Sequence, residues 1–363
     1  MTTRIRGLRL EELTRWLREE LSLPPFRGRQ VFAWLHARGV GDCAAMTDLS
    51  RELRERLAER VDLTPARVDA EQSAPDGTRK LRLRLRDGAE IETVLIPEEG
   101  AAPHGIGEGA PRSGRDQPAD KLTQCLSSQV GCGLGCSFCA TATMGLRRGL
   151  DVEEIVEQVY RARERLGPEE RVSNLVLMGM GEPLQNLDAV LAAVEILCAD
   201  LGQNFSPRRI TISTAGVVPG IDELGRRAPQ LGLAVSLNAT TDEIRSMLMP
   251  VNRRWPLAEL IAALRRYPLP KRRRITIEYV LIAGVNDGVE DARRLPRLLD
   301  RIPVKVNLIP YNPARPDASY RAPSEAAVDA FAERLRDKGL PTYLRRSRGA
   351  EIAASCGQLA CAR

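Results

Sequence analysis

The sequence predicts an α/β protein whose main domain contains parallel strands, with a smaller and mostly helical unit in front of it. Two observations support this fold class. After residue 121, apolar strand-like runs alternate with helical segments, and such alternation implies parallel pairing through right-handed crossovers. Before residue 62, apolar residues recur at helical spacing. A doubly wound open sheet and a partial (β/α) barrel both fit, and each would place a site at the carboxyl ends of the strands.

Length, charge and cysteine content limit the classes of protein to which the chain can belong. Its 363 residues suffice for a large core and two domains. The net charge of +6 is compatible with a polyanionic partner. Eight cysteines without a secretory leader indicate a reducing compartment and metal or redox chemistry, not a disulfide scaffold. No apolar run approaches the roughly 18 residues that span a bilayer, so we expect a cytoplasmic protein without a membrane segment.

The first 62 residues predict three short helices. One apolar series runs from Leu10 to Leu21, and a second follows Pro24-Pro25. Thr47 and Asp48 are typical N-cap residues and predict the start of a third helix. We expect a small basic bundle, which serves either as a packing appendage or as a contact surface for a polyanion.

A β-hairpin and a linker follow these helices. Residues 80–96 alternate on both sides of Arg86-Asp87-Gly88, which predicts the hairpin. Glu92 lies on its second strand, where a solvated carboxylate is the ordinary interpretation. Residues 99–120 are rich in Gly, Pro and Ala and predict a flexible linker. We therefore predict an accessory domain of helices plus a β-hairpin (1–98), this linker, a strand–helix domain (121–340) and a C-terminal tail (341–363).

Six strand-like runs follow the linker. They are LTQCLSS, VSNLVLM, RRITIS, LAVSLN, RITIEYVLI and VKVNLIP. Asp151 and Glu154 form a capping-box pattern in front of one helix. Further helices are predicted around 187–200, 219–227, 256–267 and 289–300. Small polar residues and glycines follow several strands directly, although each of them alone is more often a turn former.

The stretch CLSSQVGCGLGCSFCATATMGLRRG, residues 125–149, is the strongest chemical signal in the chain. Cys132, Cys136 and Cys139 form a C-x3-C-x2-C pattern, and the glycines among them argue against a helix, since each costs about 1 kcal/mol in a helix interior. A glycine-rich loop suits a bulky guest. Three thiolates fit a 4Fe–4S cluster that keeps one iron open. A structural zinc site needs a fourth protein ligand, and a zinc loop that borrows a distant cysteine or a histidine is the alternative.

This stretch resembles a known family. C-x3-C-x2-C with Phe138 before its last cysteine is similar to the signature of radical S-adenosylmethionine (SAM) enzymes. The longer string CLSSQVGCGLGCSFCATATMGLRR resembles the RlmN family of adenosine-C2 RNA methyltransferases, as do PFRGRQVFAWLH and the tail motif ASCGQL. The resemblance implies a six-stranded partial (β/α) barrel of the radical SAM type. It also implies a small N-terminal helical accessory domain that contacts RNA.

The resemblance further implies which residues bind the cofactors. Cys132, Cys136 and Cys139 would hold the 4Fe–4S cluster, whose open iron would bind SAM. Gly181 and Glu182 match the segment that holds the methionine amino group, and a carboxylate suits an ammonium group. The implied SAM contacts are Gly181, Glu182, Ser213, Ser236, Leu237, Asn238 and Asn312.

Three more residues have implied catalytic roles. Cys356 in ASCGQL matches the cysteine that accepts a methyl group from one SAM molecule, and radical chemistry from a second SAM then adds this carbon to the base. Cys125 would attack the Cys356 sulfur, form a disulfide bond with it and release the product. Glu92 matches a glutamate that acts as proton acceptor. Carbon-2 of adenine is electron-poor, so it is open to a radical but is no nucleophile for ordinary methyl transfer.

The implied function is SAM-dependent radical methylation of carbon-2 of an adenosine in 23S ribosomal RNA, with tRNA as a further candidate. A C8 adenosine methyltransferase of the Cfr type is the nearest alternative, although FCATATMG and ISTAGVVPGI are nearer to the C2 group. A non-catalytic, zinc-stabilised RNA-binding protein is the second alternative. Basic clusters such as Arg345-Arg346 would position RNA phosphates. We also expect a reducing electron donor such as flavodoxin, and a monomer.

Overall fold

Helices form the beginning of the described chain and alternate with strands further on. The computed structural model describes residues 2–98, 120–313 and 319–361. Their α-helices are α1 (Leu10–Leu21), α2 (Pro25–His36), α3 (Arg51–Arg60), α4 (Val152–Arg163), α5 (Leu187–Cys198), α6 (Val218–Arg227), α7 (Asp242–Leu248), α8 (Leu257–Arg266), α9 (Val289–Leu298) and α10 (Glu325–Asp337). Their β-strands are β1 (Arg67–Ser73), β2 (Arg79–Arg84), β3 (Glu90–Pro97), β4 (Asp120–Cys125), β5 (Gln129–Gly131), β6 (Leu146–Gly149), β7 (Glu170–Leu177), β8 (Ile210–Thr214), β9 (Gly232–Ser236), β10 (Ile275–Leu281), β11 (Val304–Pro310) and β12 (Thr342–Leu344).

The three N-terminal helices confirm the apolar periodicity of this segment. α1 buries the face that carries Leu13 and Leu17. α2 begins with Pro25, whose missing amide costs nothing at a helix start. Buried residues of all three helices belong to the same hydrophobic core as the strands that follow. The bundle is therefore packed onto the rest of the protein and does not form a separate core.

The N-cap of α3 differs from the prediction. The helix begins one residue after Ser50, whose Oγ accepts a hydrogen bond from the Leu53 amide at 3.3 Å. An N-cap directly precedes the first helical residue, so Thr47 and Asp48 lie too early in the chain. Asp48 instead accepts a hydrogen bond from the indole of Trp34.

Ten strands form one sheet, in the order β1-β2-β3-β4-β7-β8-β9-β10-β11-β12. All neighbours from β4 to β12 are parallel, whereas those from β1 to β4 are antiparallel. The six predicted strands are present as β4 and β7 to β11, which confirms the α/β fold of the radical SAM type. The sequence does not predict β12, because a run of three residues carries no periodicity.

The predicted hairpin is present as β2 and β3, with Arg82 opposite Glu92. β3 also pairs with β4, and Val94 lies opposite Cys125 in that antiparallel pair. Because of this pairing, the hairpin and the parallel strands share one continuous sheet. The strand that carries Glu92 is thus a direct neighbour of the strand that ends at Cys125.

The helices of the strand–helix domain agree with the prediction in all but two cases. The Asp151 side chain caps α4 and Glu154 binds the Asp151 amide, which is the predicted capping box. α5, α6, α8 and α9 occupy the predicted segments, whereas the sequence does not predict α7 or α10. In the described part of the chain, no helix is both long and apolar enough to span a membrane. The predicted linker and its His104 lie outside the described residues, except for Asp120, which begins β4.

Candidate active site

The three cysteines of the C-x3-C-x2-C motif lie in an irregular loop after β5, and not in a helix, as predicted. Gly131 has a positive φ of 76° and approaches Gly145 so closely that a Cβ would lie 1.8 Å from the Gly145 carbonyl oxygen. Only glycine allows such an approach. The Cys132 amide donates to the Gly145 carbonyl at 3.0 Å, and the Ser137 amide donates to the Leu248 carbonyl at 2.9 Å. The loop therefore has a backbone conformation that is fixed from two sides.

This loop forms one wall of a cavity that we name the cysteine cavity, at the carboxyl ends of the parallel strands. Cys132, Cys136 and Cys139 all line it. Segments far apart in the chain meet there, because the carboxyl ends of parallel strands share one edge of the sheet. The cavity also contains these predicted SAM contacts: Gly181, Glu182, Ser213, Ser236 and Asn238.

Two predicted SAM contacts do not line the cysteine cavity. Leu237 is buried in the core, and its amide donates to the Glu278 carbonyl at 3.0 Å. The side-chain amide of Asn312 donates to the Ser347 hydroxyl. Both residues follow strands whose carboxyl ends reach the cavity, which is why the sequence pattern assigns them to it. Their role as SAM contacts stays a prediction.

Glu182 supplies a buried carboxylate to the cysteine cavity. Its Oε2 accepts a hydrogen bond from the Ala215 amide at 2.8 Å, and its Oε1 accepts one from the Leu184 amide at 3.1 Å. Burial raises the pKa of Glu182 to about 7, although these amides oppose the rise. No cationic side chain in the described part of the chain lowers that pKa. A buried carboxylate without a cationic partner can bind an ammonium group of a ligand.

Arg245 is a fully buried residue that sequence reasoning misses. Its guanidinium donates to three backbone carbonyls, those of Ala215 (2.6 Å), Leu237 (3.1 Å) and Ser236 (3.2 Å). These carbonyls lie at the ends of β8 and β9, so one side chain connects two loops that line the cavity. Burial lowers the pKa of Arg245 to about 10, which still leaves it charged at neutral pH. One arginine in a short helix gives no sequence signal for this role.

Glu278 is a second buried acid that lines the cysteine cavity. Its Oε1 accepts a hydrogen bond from the Asn307 side chain at 3.0 Å, while its Oε2 has no hydrogen-bond partner among the described residues. Burial raises its pKa. The available signal was a single carboxylate inside the apolar run RITIEYVLI, since buried charges in strands are rare.

A second cavity, which we name the tail cavity, is lined by Cys125, Arg345 and Cys356. Cys356 also lines the cysteine cavity, so this residue lies between the two cavities. The tail is anchored next to the cysteine loop, because the Gly357 carbonyl accepts a hydrogen bond from the Ala140 amide at 2.7 Å. Arg345, which we expected to contact RNA phosphates, contributes to this cavity wall.

All eight cysteines, each of which the structure describes, are free thiols. The Cys125–Cys356 disulfide bond is therefore not a resident feature of this structure. Burial raises the pKa of Cys125 to about 12. Desolvation also raises the pKa of the Cys356 thiol, and the Arg345 guanidinium opposes this rise. Arg345 thus favours the thiolate, which is the nucleophilic form of a cysteine.

Glu92 lines neither cavity, and its interpretation as a solvated carboxylate is wrong. Only 3% of the residue is exposed. Its Oε1 lies 3.3 Å from the Lys80 Nζ, and the Ser127 hydroxyl donates to its backbone carbonyl at 2.6 Å. Alternation along β3 cannot reveal this burial, because the C-terminal tail covers the polar face of the strand.

The donor set of the cysteine cavity fits a 4Fe–4S cluster and SAM. Three thiols suit an iron–sulfur cluster with one open iron, and the Glu182 carboxylate suits the amino group of SAM. In residues 2–98, 120–313 and 319–361, no three His, Cys, Asp or Glu side chains are gathered around a point where one metal ion could be held. Thiolates that bind different irons of one cluster do not have to gather in this way.

Family models match both parts of the chain. The radical SAM superfamily model matches residues 126–295, which include the cysteine loop. The fold and this loop define a radical SAM protein, a class that uses SAM and a 4Fe–4S cluster. A model of the ribosomal RNA large subunit methyltransferase N-terminal domain matches residues 3–63.

Two curated proteins and one crystal structure are similar to nearly the whole chain. The dual-specificity RNA methyltransferase RlmN of Geobacter sulfurreducens is 49% identical over 98% of this chain and 91% of that protein. Its namesake from Anaeromyxobacter dehalogenans is 48% identical over 93% of this chain and 86% of that protein. A radical SAM methyltransferase from Sphaerobacter thermophilus has a TM-score of 0.86 and 45% identity, covering 98% of this chain and 99% of that one. The chain therefore belongs to the RlmN family, and a non-catalytic zinc-stabilised protein has no support.

Proposed function

We propose that the protein methylates carbon-2 of an adenosine in RNA by SAM-dependent radical chemistry, with 23S ribosomal RNA and tRNA as substrates. Family membership supports the reaction, and the dual specificity named for the relatives supports two substrates. The observation that carries the proposal is the position of Cys356, a residue that lines both cavities. A methyl carrier needs access to SAM on one side and to the base on the other.

The cysteine cavity is the proposed cofactor site. Its three thiols would hold the cluster, and Glu182 would bind the amino group of SAM. When bound, the cluster and SAM supply the radical chemistry that activates a methyl carbon. The amides of Leu184 and Ala215 hold the Glu182 carboxylate in one orientation.

The tail cavity is the proposed site of transfer to the base. The Cys356 thiolate attacks the methyl group of SAM, the bond from that carbon to the sulfonium breaks, and S-adenosylhomocysteine leaves. The S-methyl carbon loses a hydrogen atom to the 5′-deoxyadenosyl group before it is joined to carbon-2. Glu92, which is buried on the face of β3 that also carries the cavity-lining Ile96, then takes the proton that carbon-2 loses. The one surplus electron of the adduct would return to the cluster. Cys125 then attacks the Cys356 sulfur and forms a disulfide with it. The electron pair of the broken S–C bond stays on the transferred carbon, which takes up a proton and becomes the methyl group. An external reductant returns both thiols before the next cycle.

This scheme consumes two SAM molecules per base, one as methyl donor and one as radical source. It therefore yields one S-adenosylhomocysteine and one 5′-deoxyadenosine for each 2-methyladenosine. It also needs a low-potential electron donor such as flavodoxin. We further propose that the protein acts as a monomer in the cytoplasm, where its RNA substrates are found.

The product of the reaction tests the proposed function. Ribosomal RNA and tRNA from a host that lacks adenosine-C2 methylation would be isolated after expression of this chain. Mass spectrometry of nucleosides is expected to show 2-methyladenosine in both RNAs, and reverse transcription would map it. Formation of 8-methyladenosine would replace the proposal by the C8 alternative, and unmodified RNA from a host with folded, iron-loaded protein would overturn both.

A matched pair of tail cysteines tests the role of Cys356. Cys356→Ala removes the proposed carrier and is expected to abolish 2-methyladenosine while iron content and the cluster absorption stay at the wild-type level. Cys361→Ala removes a half-buried thiol five residues later and is expected to retain activity. Activity of the first variant near the wild-type rate would contradict the carrier role.

A further inference from the structure

Lys80 and Glu92 form a buried ion pair on the β2–β3 hairpin. Lys80 lies opposite Val94 in the register, so its side chain points to the same face of the sheet as that of Glu92. The Nζ–Oε1 distance is 3.3 Å, and the two side chains are only 11% and 4% exposed. None of the proposed reaction steps uses Lys80.

The face that carries this pair would be open to solvent on an isolated hairpin, and here the C-terminal tail covers it. The Lys80 ammonium donates to the Ala353 carbonyl at 3.4 Å, just before Cys356 in the chain. On the far side of Cys356, the Ala360 amide acts on Glu92 and lowers its pKa. The pair therefore contacts the tail on both sides of the proposed methyl carrier.

The two oxygens of the Glu92 carboxylate differ. Oε1 is paired with Lys80, whereas Oε2 is buried without a hydrogen-bond partner among the described residues. A carboxylate that is held at one oxygen and free at the other can accept a proton without losing its orientation. The ammonium fixes which oxygen is free.

We infer that Lys80 is a positioning residue for the reaction: it keeps the Glu92 carboxylate ionised and oriented beside the Cys356 segment so that the free oxygen can accept the proton from the base. This inference rests on the proposed function. It predicts that a buried but unpaired Glu92 is present mainly as the neutral acid and is then no proton acceptor.

The direction of the pH effect follows from the groups that act on Glu92. Burial raises its pKa, and Lys80 is the strongest opposing influence, followed by the Ala360 amide and Arg82. Cys361 of the tail also faces Glu92, but as a thiol with a raised pKa it is neutral near pH 7. Loss of the Lys80 charge leaves burial less opposed, so the pKa of Glu92 rises further. The acid limb of the rate profile then moves to higher pH.

The test compares Lys80→Met, Lys80→Arg and a matched control, Arg84→Met, in the reconstituted holoenzyme with an RNA fragment that contains the target adenosine. Arg84→Met removes the same charge from the same strand face, at a residue whose partners are Asp69 and Glu90. For Lys80→Met we expect the acid limb of kcat to move up by about one pH unit or more, with a lower kcat at pH 7, since an opposite charge nearby shifts a carboxyl pKa by about that amount. The KM for RNA should stay constant because the side chain is buried, and the rate should recover towards pH 9. Lys80→Arg and Arg84→Met should resemble the wild type.

A deuterium label separates this role from a general structural one. With deuterium at carbon-2 of the target adenosine, Lys80→Met should show a larger isotope effect on kcat than the wild type, because proton removal becomes slower. A variant that merely loosens the fold would lower the rate without that change; Lys80→Gln provides a second uncharged side chain should Lys80→Met misfold. If the wild type is active and the folded Lys80 variants have the same rate, pH profile and isotope effect, the role of Lys80 is overturned and the proposed function is not. A wild type that forms no 2-methyladenosine overturns the proposed function instead.

Discussion

The cysteine cavity and the tail cavity meet at Cys356, but they are built in different ways. Most of the cysteine cavity is formed by the loop after β5 and by strand ends from β7 to β11, which share one edge of the parallel sheet. The tail cavity joins β3 and β4 to residues 344–359 near the other end of the chain. The first cavity therefore depends on the order of strands in the sheet, and the second depends on how the tail docks.

This difference implies unequal resistance to change. A buried arginine and several close backbone approaches stabilise the cysteine cavity. The docked tail buries only Ala354 and Leu359 fully among its described apolar residues after Gly349. It is otherwise held by individual hydrogen bonds, such as that from the Gly349 amide to Asp76 at 2.9 Å and that from the Ala140 amide to Gly357 at 2.7 Å. Each such bond contributes about 1 kcal/mol. We expect mutations behind the cysteine cavity to be costly and mutations under the tail to be mild but selective.

The largest effect is expected for Arg245→Leu. This change removes a donor from three backbone carbonyls, of which that of Leu237 keeps the Ala239 amide as a second donor, and each unpaired buried acceptor costs about 1–3 kcal/mol. Chemical denaturation should show a loss of several kcal/mol in the free energy of unfolding, together with lost SAM binding. Arg245→Lys keeps the charge but not the planar fork of donors, so an intermediate loss is expected. Full stability of the leucine variant would show that the loops do not depend on Arg245.

A smaller effect on the same cavity is expected for Gly181→Ala. Gly181 has a φ of 102°, and a Cβ there would lie 2.5 Å from the Gln129 Cβ and 2.8 Å from its amide nitrogen. The control is Gly339→Ala, at a φ of 74° with nothing within 4 Å of the added carbon. Alanine is strained at both positive φ values, and only Gly181→Ala adds overpacking of about 1–3 kcal/mol.

Binding of SAM to the reconstituted variants would show the difference. Gly181→Ala should bind SAM about tenfold more weakly than Gly339→Ala, because the displaced wall lines the proposed SAM site and 1.4 kcal/mol corresponds to a factor of ten. Equal affinities would mean that the wall at Gly181 is not part of the SAM site. Thermal unfolding of both variants would report the shared strain separately.

The smallest effect is expected for Asp76→Ala, which removes the acceptor of the Gly349 amide at the start of the docked tail. Its control is Asp87→Ala, in the next turn of the same β-sheet. Asp87 accepts hydrogen bonds from the Ala89 amide and the Arg148 side chain and has no such bond with the tail among the described residues. Loss of about 1 kcal/mol of docking energy should lower turnover several-fold in Asp76→Ala with SAM affinity unchanged. An equal loss of turnover in Asp87→Ala would indicate a general effect on the hairpins, and not an effect on the tail.

Sequence reasoning predicts the parts of the site that local pattern encodes. Cys132, Cys136 and Cys139 stand in one motif, and Glu182 directly follows an apolar strand, so their neighbourhood at one sheet edge follows from strand order. Arg245 could not be found in this way, because its partners belong to two strand ends that meet only in the folded sheet. The pairing of Lys80 with Glu92 escapes for another reason.

Alternation along the hairpin indicates that Lys80 and Glu92 share a polar face, but it places that face in water. Their burial arises from a segment more than 250 residues away, since the contact of Lys80 with Ala353 spans 273 positions. No periodicity within a window of the sequence can report such cover. The same limit applies to Arg345. A run of basic residues predicts that it is a surface charge, whereas the folded tail brings it next to Cys356.

The antiparallel pairing of β3 with β4 has a practical consequence for engineering. Pro97 lies opposite Leu122 in this pair, so the connection between them only has to bridge neighbouring strands, which are about 5 Å apart. Closing a longer connection costs little, about 0.6 kcal/mol for each doubling of its length. A fluorescent reporter or an affinity module inserted between Glu98 and Asp120 should therefore leave the strand register intact. Because Pro97 and Glu98 line the tail cavity, the inserted module would report on that cavity without using either terminus.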